Sequence, residues 1–177
     1  MKFSLTVMVM IAACSIFSAC SLAQRAMPGA TMSDADVVGV LNTVNRSEIH
    51  AGQLARDRAS SSEVRAYASQ MVNEHQLKMQ NATQLARRIG VQPQQPALAR
   101  TLENTHREAM EELREKSGRD FDKAYLEYQI KMHQQSVDLV ENTVESVDHP
   151  ELKRFLRETR PDLQKHLATA QSIQRNQ

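Results

Sequence analysis

Four ionisable residues, one on each of four predicted helices, have the types and the spacing to bind a metal ion together. The four residues are Glu48, His75, His133 and His166. Each lies in a set of residues spaced three or four apart along the chain, and the other members of these sets are apolar or small, except Thr159. This spacing places each set on one face of an α-helix. Three imidazoles and one carboxylate suit zinc, iron or copper. We therefore predict one site in a helical core for a divalent transition metal or Cu(I).

Three further residues are candidates for a part in this site. Met71 and Met79 lie four residues on either side of His75, and a thioether is a soft ligand that favours Cu(I). Ordinary core packing is the alternative role for both methionines. Asp162 lies four residues before His166, where it could orient that imidazole from outside the set of ligands.

The alternative to a metal site is a buried polar layer. In that layer the histidines would hydrogen-bond to Glu48, to one another or to water, and would fix the helix register at a cost in stability. Two functional classes follow: a metal-binding protein, and a non-catalytic structural or stress-related protein whose outer surface meets a partner. An enzyme is not favoured, because the chain lacks patterns typical of a nucleophile triad, a phosphate loop or a cysteine metal site.

Composition and periodicity predict an all-α fold. Aromatic residues make up 4% of the chain and it has five glycines, while good helix formers dominate. Its 177 residues form one domain that is long enough to bury a core. The predicted helices span about 34–59, 63–89, 97–116, 120–147 and 150–174. The predicted core includes Leu41, Val44, Ala68, Ile130, Val137, Leu156 and Leu163.

The third predicted helix is interpreted as a crossover connection. About 20 residues of helix span ~30 Å, which is enough to carry the chain back along a bundle. Short links make the first and second helices, and the fourth and fifth, antiparallel neighbours. Four core helices with one long helical crossover between the second and the third of them form the ferritin-like four-helix bundle. The apolar stripe of the crossover helix is thin, so we expect it to lie outside.

Several local features lead to further predictions. Pro161 has no backbone N–H and is expected to interrupt and kink the last helix, one turn before His166. Gly52, one turn after Glu48, is expected to leave space beside the carboxylate. The histidines that lie off the apolar faces or in a turn are expected to be solvated: His50, His106 and His149.

Residues 1–23 have the organisation of a bacterial signal peptide. Lys2 supplies a positive charge, and residues 3–17 form an apolar stretch too short for a comfortable membrane span. Small residues at positions 21 and 23 predict cleavage before Gln24 and release of a periplasmic product. No transmembrane span is predicted in the mature chain.

A lipid anchor is the alternative to cleavage. The residues before Cys14 resemble a lipobox and those before Cys20 resemble it less closely, so either cysteine could hold the chain in the cell envelope. Both cysteines lie in the signal segment, so the mature chain has no disulfide. Residues 24–32 are predicted to be a linker and residues 33–174 the helical domain.

The charge balance excludes two classes of partner. The chain has 22 basic and 21 acidic residues, and residues 1–23 contain one basic and no acidic residue. The mature chain is therefore neutral, with the two signs mixed along it. Nucleic acid binding needs a basic face, and anionic membranes attract polybasic segments, so neither partner is expected.

Three segments of the helical domain carry a family resemblance. Residues 63–75 read EVRAYASQMVNEH, residues 121–126 read FDKAYL and are followed by His133, and residues 161–167 read PDLQKHL. Over about 33–173, the chain resembles an uncharacterised bacterial family called domain of unknown function forty-one forty-two. The family is often labelled as outer membrane proteins. The resemblance implies a ferritin-like bundle in the cell envelope and brings no established activity.

The ligand pattern departs from ferritin-like di-iron sites. Those sites use a Glu on two helices and Glu-x-x-His on the other two. Here the positions three residues before His75 and His166 carry valine and leucine, and His133 stands where a Glu is expected. Only Glu48 fits, so a single-metal site is the prediction.

Overall fold

A computed structural model describes residues 32–177, which form five α-helices and include no strand. The predicted all-α fold is confirmed for this part of the chain. The signal peptide, both cysteines and residues 24–31 of the linker lie outside the described residues. No helix of the described part has the length and hydrophobicity needed to cross a membrane. The helices are α1 (Asp34–Arg58), α2 (Ser62–Arg88), α3 (Ala97–Glu115), α4 (Gly118–Thr143) and α5 (Pro150–Arg175).

Capping groups define the ends of the first hairpin. The Ser33 hydroxyl accepts the N–H of Asp36, and the Asp36 carboxylate accepts the N–H of Ser33, which is a capping box. Ser61 caps α2 by accepting the N–H of Val64. Gly90 follows α2 with a φ of 71°, a left-handed conformation that glycine adopts without strain.

The fourth helix ends at Thr143 and not near Val147, as the sequence predicted. The chain turns at Ser146, whose N–H donates to the carbonyl of Thr143 (2.9 Å). The turn buries Val147 and brings the N–H of Asp148 to the carboxylate of Asp34 (2.9 Å). The early end of α4 therefore serves both core packing and a contact with the start of α1.

The contacts between helices establish the direction in which each helix runs. α1 packs on α2 and α4 packs on α5, while α1 also contacts α4 and α2 contacts α5. The buried carboxylate of Asp122, at the start of α4, accepts the N–H groups of Ser60 and Ser61 in the α1–α2 turn (2.9 and 2.7 Å). α4 therefore begins at that turn and runs antiparallel to α1 and parallel to α2. α3 carries the chain back to this end and packs on α1 and α4.

Gly39 allows the α2–α3 link to pack directly on α1. A Cβ atom at this position would lie 1.6 Å from the carbonyl oxygen of Gln94. Only a residue without a side chain permits so close an approach of backbone. The link is also held by the N–H of Gln94, which donates to the carbonyl of Ala35 (3.0 Å). The start of α3 is thereby fixed against α1.

The core follows the predicted helix faces with two corrections. The predicted core residues are buried except Ile130, which is partly buried. The prediction that Pro161 interrupts the last helix is wrong, because α5 continues through it. Pro161 and Arg157, whose carbonyl lacks its usual N–H donor, both lie on the exposed side of the helix. Water can satisfy that carbonyl, so the helix continues.

Candidate metal centre

Three of the four predicted ligands meet in the interior. His75 of α2, His133 of α4 and His166 of α5 are each 1% exposed. One nitrogen of each ring lies within 4.8 Å of the other two. The ring centroids are 5.7, 5.6 and 5.2 Å apart. We call these three residues the histidine triad. Within residues 32–177, no other group of three or more His, Cys, Asp or Glu side chains has this spacing.

In each ring of the triad, one nitrogen is hydrogen-bonded to an oxygen outside the triad, and this oxygen is different for each ring. The three pairs are His75 Nδ1 with Asn45 Oδ1 (2.9 Å), His133 Nδ1 with the Gln129 carbonyl (2.9 Å) and His166 Nε2 with the Glu74 carboxylate (2.6 Å). The side-chain N–H of Asn45 donates to the Leu41 carbonyl (2.8 Å), which orients the amide oxygen toward the ring. Because each partner is an acceptor, the facing ring nitrogen carries the hydrogen. The other nitrogen of each neutral ring carries a lone pair.

Two of these lone pairs face each other. His133 Nε2 and His166 Nδ1 are 3.2 Å apart, and neither carries a hydrogen once the outer nitrogens hold theirs. Facing lone pairs repel unless a proton or a cation lies between them. Tetrahedral metal–nitrogen bonds of ~2.0–2.1 Å separate two ligand nitrogens by about 3.3 Å. The third nitrogen, Nε2 of His75, is buried and has no hydrogen-bond partner within residues 32–177, so the three donors together fit a transition metal.

Burial keeps the histidine triad in the neutral form that binds metals. Burial, and then the charged forms of His133 and His166, hold the pKa of His75 well below its usual value. Burial, with His166 adding to it, lowers the pKa of His133 to about 4. Burial also lowers the pKa of His166, against the opposing effect of the Glu74 carboxylate. Since a protonated imidazole is no ligand, these shifts favour metal binding at neutral pH.

Glu48 lies outside the triad and contacts it through Gln129. The Glu48 side chain is 1% exposed, and its Oε2 accepts from Nε2 of Gln129 (2.7 Å), while its Oε1 has no partner among the described residues. The backbone carbonyl of the same Gln129 holds His133, and its side-chain oxygen accepts from the Tyr67 hydroxyl (3.2 Å). Burial raises the pKa of Glu48 to about 8, against the Gln129 hydrogen bond. Direct ligation by Glu48 stays a prediction.

The raised pKa of Glu48 predicts a pH-dependent effect of Glu48→Gln. Folding moves this pKa from 4.5 to about 8, so the contribution of the protonated carboxyl to stability is present below 4.5 and is lost as the pH rises through 8. Glutamine keeps an acceptor for Gln129 and has no proton to lose. In metal-free protein, we expect the stability of the variant relative to wild type to rise by about 4 kcal/mol between about pH 5 and about pH 9, since one pKa unit corresponds to about 1.4 kcal/mol. Urea unfolding at both pH values measures the difference, and a constant difference would contradict the burial of an ionisable carboxyl.

The other predicted site residues have different neighbours. Met71 is buried in the core cluster that includes Tyr67, and Met79 is partly exposed. Asp162 is exposed, and its carboxylate accepts from Nζ of Lys78 (2.6 Å). The carboxylate that contacts the His166 ring is that of Glu74, not that of Asp162.

Gly52 does not leave space beside Glu48, contrary to the prediction. A Cβ atom at this position would lie 2.8 Å from Cγ2 of Val72 and 3.0 Å from the carbonyl oxygen of Ala68. The space is therefore filled by α2. Glycine at this position allows α1 and α2 to approach closely at the level of the site.

His106 is buried, and the prediction that it is solvated is wrong. It is 8% exposed on the inner side of α3. Its Nε2 lies 2.9 Å from Nδ1 of the exposed His50, and its Nδ1 lies 2.8 Å from the Tyr128 hydroxyl. His149 is partly exposed, and its Nδ1 lies 2.6 Å from the Asp34 carboxylate. Each of these three histidines thus bonds to a buried group of another helix.

Three residues that sequence reasoning did not single out hold the triad in place. Asn45 and Gln129 lie three or four residues before predicted ligands of their own helices, so helical spacing could have identified both. Helical spacing could not have identified Glu74, because its partner His166 lies on another helix, α5. The contact exists only once α2 and α5 pack together.

Comparisons with known proteins supply a family and a fold. The sequence profile of the family described as Domain of unknown function (DUF4142) matches residues 19–173. No curated protein matches the chain. Among solved structures, the chain is similar to one described as "CopM in the Cu(II)-bound form", with a TM-score of 0.65 and 11% identity over 83% of this chain and 99% of that one. At this identity the similarity concerns the fold alone.

Proposed function

We propose that this chain, which belongs to the Domain of unknown function (DUF4142) family, binds one copper ion at the histidine triad. The observation that carries the proposal is the 3.2 Å contact between His133 Nε2 and His166 Nδ1, two nitrogens whose hydrogens are on the other side of each ring. Bound copper supplies a positive charge that accepts the lone pairs of the triad. The role is metal binding or handling, without catalysis by the chain.

The residues around the triad preorganise this site. Asn45, Gln129 and Glu74 each hold the outer N–H of one imidazole, which fixes the tautomer and the ring orientation. Such partners raise the basicity of ligand histidines, and their loss reduces metal affinity. The anionic Glu74 also offsets part of the charge that a cation brings into the core.

Copper is preferred over the other metals for two reasons. Imidazole suits copper, zinc, iron and nickel, and Cu²⁺ binds most tightly of the divalent series at a given nitrogen site. A protein of similar fold has been described in a Cu(II)-bound form, which supports copper as the first metal to test here. Zinc remains the comparison metal, because three imidazoles suit it equally well in geometry.

Metal content and thermal stability test the proposal. We expect about one copper per chain in purified protein by elemental analysis, and a higher melting temperature with Cu²⁺ or Cu⁺ than with Zn²⁺ or chelator, because a metal that binds the folded state stabilises it. If no metal co-purifies and neither copper nor zinc shifts the melting curve, the triad is a buried polar layer with a structural role.

The helix contacts also support a ferritin-like bundle. α1, α2, α5 and α4 contact one another in that cyclic order, α4 runs parallel to α2, and α3 is the connection between them. One long crossover of this kind is the ferritin-like arrangement. The histidine triad then lies in the bundle core, where three of the four helices each supply one ligand.

Export to the cell envelope completes the proposal. Lys2 and the apolar residues 3–17 are typical of a signal peptide. We expect mass spectrometry of the protein from its native envelope fraction to find an N-terminus at Gln24, or a lipid on Cys14 or Cys20. Recovery of a chain with an intact Met1 from that fraction would contradict export with processing.

A further inference from the structure

We propose that copper enters and leaves the histidine triad past Glu74, whose carboxylate binds the incoming ion before the ring of His166 does. This inference rests on the proposed function and deepens it, because it assigns the route and the first protein ligand of the same metal. Glu74 lies on α2 and His166 lies on α5, so the route follows the line along which these two helices meet. We call the side chains of Glu74, Lys78 and Asp162 along this line the entry surface.

The group that holds the His166 ring reaches solvent, whereas the groups that hold the other two rings do not. The Glu74 side chain is 37% exposed, while Asn45 and Gln129 are buried. A groove of about 420 Å³ between α2 and α5 also brings solvent to Lys78 and Asp162. A hydrated ion therefore reaches a group that contacts the triad on the α2–α5 side without any rearrangement of the core.

The Glu74 carboxylate is oriented and charged, as a first ligand for a cation has to be. Its Oε1 accepts from Nε2 of Gln70 (2.8 Å), and its Oε2 lies 2.6 Å from Nε2 of His166. Burial opposes ionisation, but the hydrogen bonds from Gln70 and His166 outweigh it and hold the pKa of Glu74 below its usual value. At neutral pH the carboxylate is therefore an anion, and carboxylate oxygen with imidazole nitrogen is a set of donors that suits Cu²⁺.

The His166 ring stands between Glu74 and the interior of the triad. Its Nε2 faces Glu74, and its Nδ1 faces Nε2 of His133 at 3.2 Å. A metal ion does not pass through a ring, so this ring has to turn aside before the ion reaches the nitrogens of His75 and His133. The motion that we infer is a rotation of this one side chain between staggered rotamers, with the helix backbone unchanged. His166 is thus the ligand that moves.

A lysine on the entry surface opposes the entry of a cation. Lys78 follows Glu74 by one turn of α2, its side chain is 15% exposed, and its Nζ lies 2.6 Å from the Asp162 carboxylate. Burial is the main cause of the lowered pKa values of His75 and His166, and the positive charge of Lys78 adds to both. The same charge repels an incoming metal ion, and the ion pair with Asp162 offsets that repulsion in part. Lys78 therefore slows uptake, which is the opposite of the effect of Glu74.

Exchange of the ring N–H groups tests the moving ligand without any metal. The Nε2–H of His166 meets water when its ring turns outward, whereas the Nδ1–H groups of His75 and His133 meet water only in larger openings of the core. In NMR of isotope-labelled, metal-free protein at neutral pH, we expect the ring N–H of His166 to exchange at least about tenfold faster than the other two. Equal exchange at the three rings, or slower exchange at His166, would overturn the assignment.

The rate of copper uptake tests the role of Glu74. Stopped-flow mixing with Cu²⁺ buffered by glycine measures uptake, and mixing of the loaded protein with excess chelator measures release. In Glu74→Gln we expect uptake to be slower by about tenfold or more, because the anion that attracts and binds the incoming ion is gone. If Glu74 only orients His166, uptake is unchanged and the whole loss of affinity lies in faster release, which is the usual result of altering one interface. Uptake at the wild-type rate would therefore overturn the proposal.

Two further variants separate the entry surface from the net charge of the chain. Lys78→Gln removes the repelling charge and is expected to speed uptake by about two- to fivefold. The matched control is Glu108→Gln, which removes one carboxylate from an exposed position of α3, the helix that packs on α1 and α4. It should leave uptake and release unchanged. Slower uptake in Lys78→Gln, or equal slowing in Glu108→Gln and Glu74→Gln, would contradict a route past the entry surface.

Copper binding at equilibrium distinguishes failure of this inference from failure of the proposed function. If the wild-type protein binds copper and Glu74→Gln takes it up at the wild-type rate, the entry surface is wrong and the proposed function stands. If the wild-type protein binds no copper, the proposed function fails, and the entry surface fails with it even where ring exchange is fastest at His166.

Discussion

Alanine at His75 or at His166 is expected to abolish the rise in melting temperature that copper produces, while helix content by circular dichroism stays unchanged. Each substitution removes one of three nitrogens that lie within 4.8 Å of one another, and the two that remain cannot complete a site of that geometry. At a free metal concentration 1,000 times Kd, binding stabilises the folded state by about 4 kcal/mol. The whole of that stabilisation depends on the triad. Melting curves with copper and with chelator measure it.

Two variants sharpen this experiment. His50→Ala removes an exposed histidine outside the triad and should keep the full copper shift. Glu74→Gln leaves all three ligand nitrogens in place but removes the anionic acceptor of the His166 N–H. Loss of such a partner reduces metal affinity by about 10- to 100-fold, so this variant should show a smaller shift at the same copper concentration. A full copper shift in His75→Ala and His166→Ala would place the metal elsewhere.

The copper dependence of the stability loss in His75→Ala and His166→Ala distinguishes the metal site from a polar layer. Without metal, His75→Ala leaves the buried Asn45 amide without its ring partner, and His166→Ala does the same to the partly exposed Glu74 carboxylate. An unpaired buried polar group costs about 1–3 kcal/mol, so a loss of stability in the presence of chelator is expected in both cases. A further loss that appears only with copper favours the site, and an equal loss with copper and with chelator favours the layer.

The histidine triad could be predicted because helical spacing encodes which residues share a face. His75, His133 and His166 each replace one apolar residue in a run with steps of three and four, and a helix that packs by that face must bury them. The buried state of Glu48 follows in the same way. Its separation from the triad does not, because that depends on the rotation of α1 and on the Gln129 side chain that reaches across from α4.

Contacts between helices could not be predicted from the sequence pattern of any single helix. His106 is predicted to be solvated because it is placed off the apolar helix faces, but it lies on a thin stripe with Met110 and Leu113, at steps of four and three. Its burial requires a partner, and Tyr128 of α4 supplies one. The buried carboxylates of Asp34 and Asp122 bond to turns more than 60 residues away in the chain, which no local pattern indicates.

Leu163→Ala is expected to lower the free energy of unfolding by about 2–5 kcal/mol, the range for a buried leucine. Leu163 is 4% exposed in the core cluster that joins α1, α2, α4 and α5, and it lies one turn before His166. It also lines a small cavity of about 30 Å³. Truncation therefore enlarges an existing space whose other walls are fixed on three further helices. Since these walls cannot collapse freely, the cost should lie in the upper half of the range.

Chemical denaturation of metal-free protein measures this loss, and Leu77→Ala is the matched control. Leu77 is 57% exposed on α2, so the same truncation there removes little buried surface and should change stability by less than about 0.5 kcal/mol. The comparison holds the chemistry of the substitution constant and varies only burial. If Leu163→Ala also cost less than about 0.5 kcal/mol, the face of α5 that carries His166 would not be packed against the core. The convergence of His166 with His75 and His133 depends on that packing, and it would fail with it.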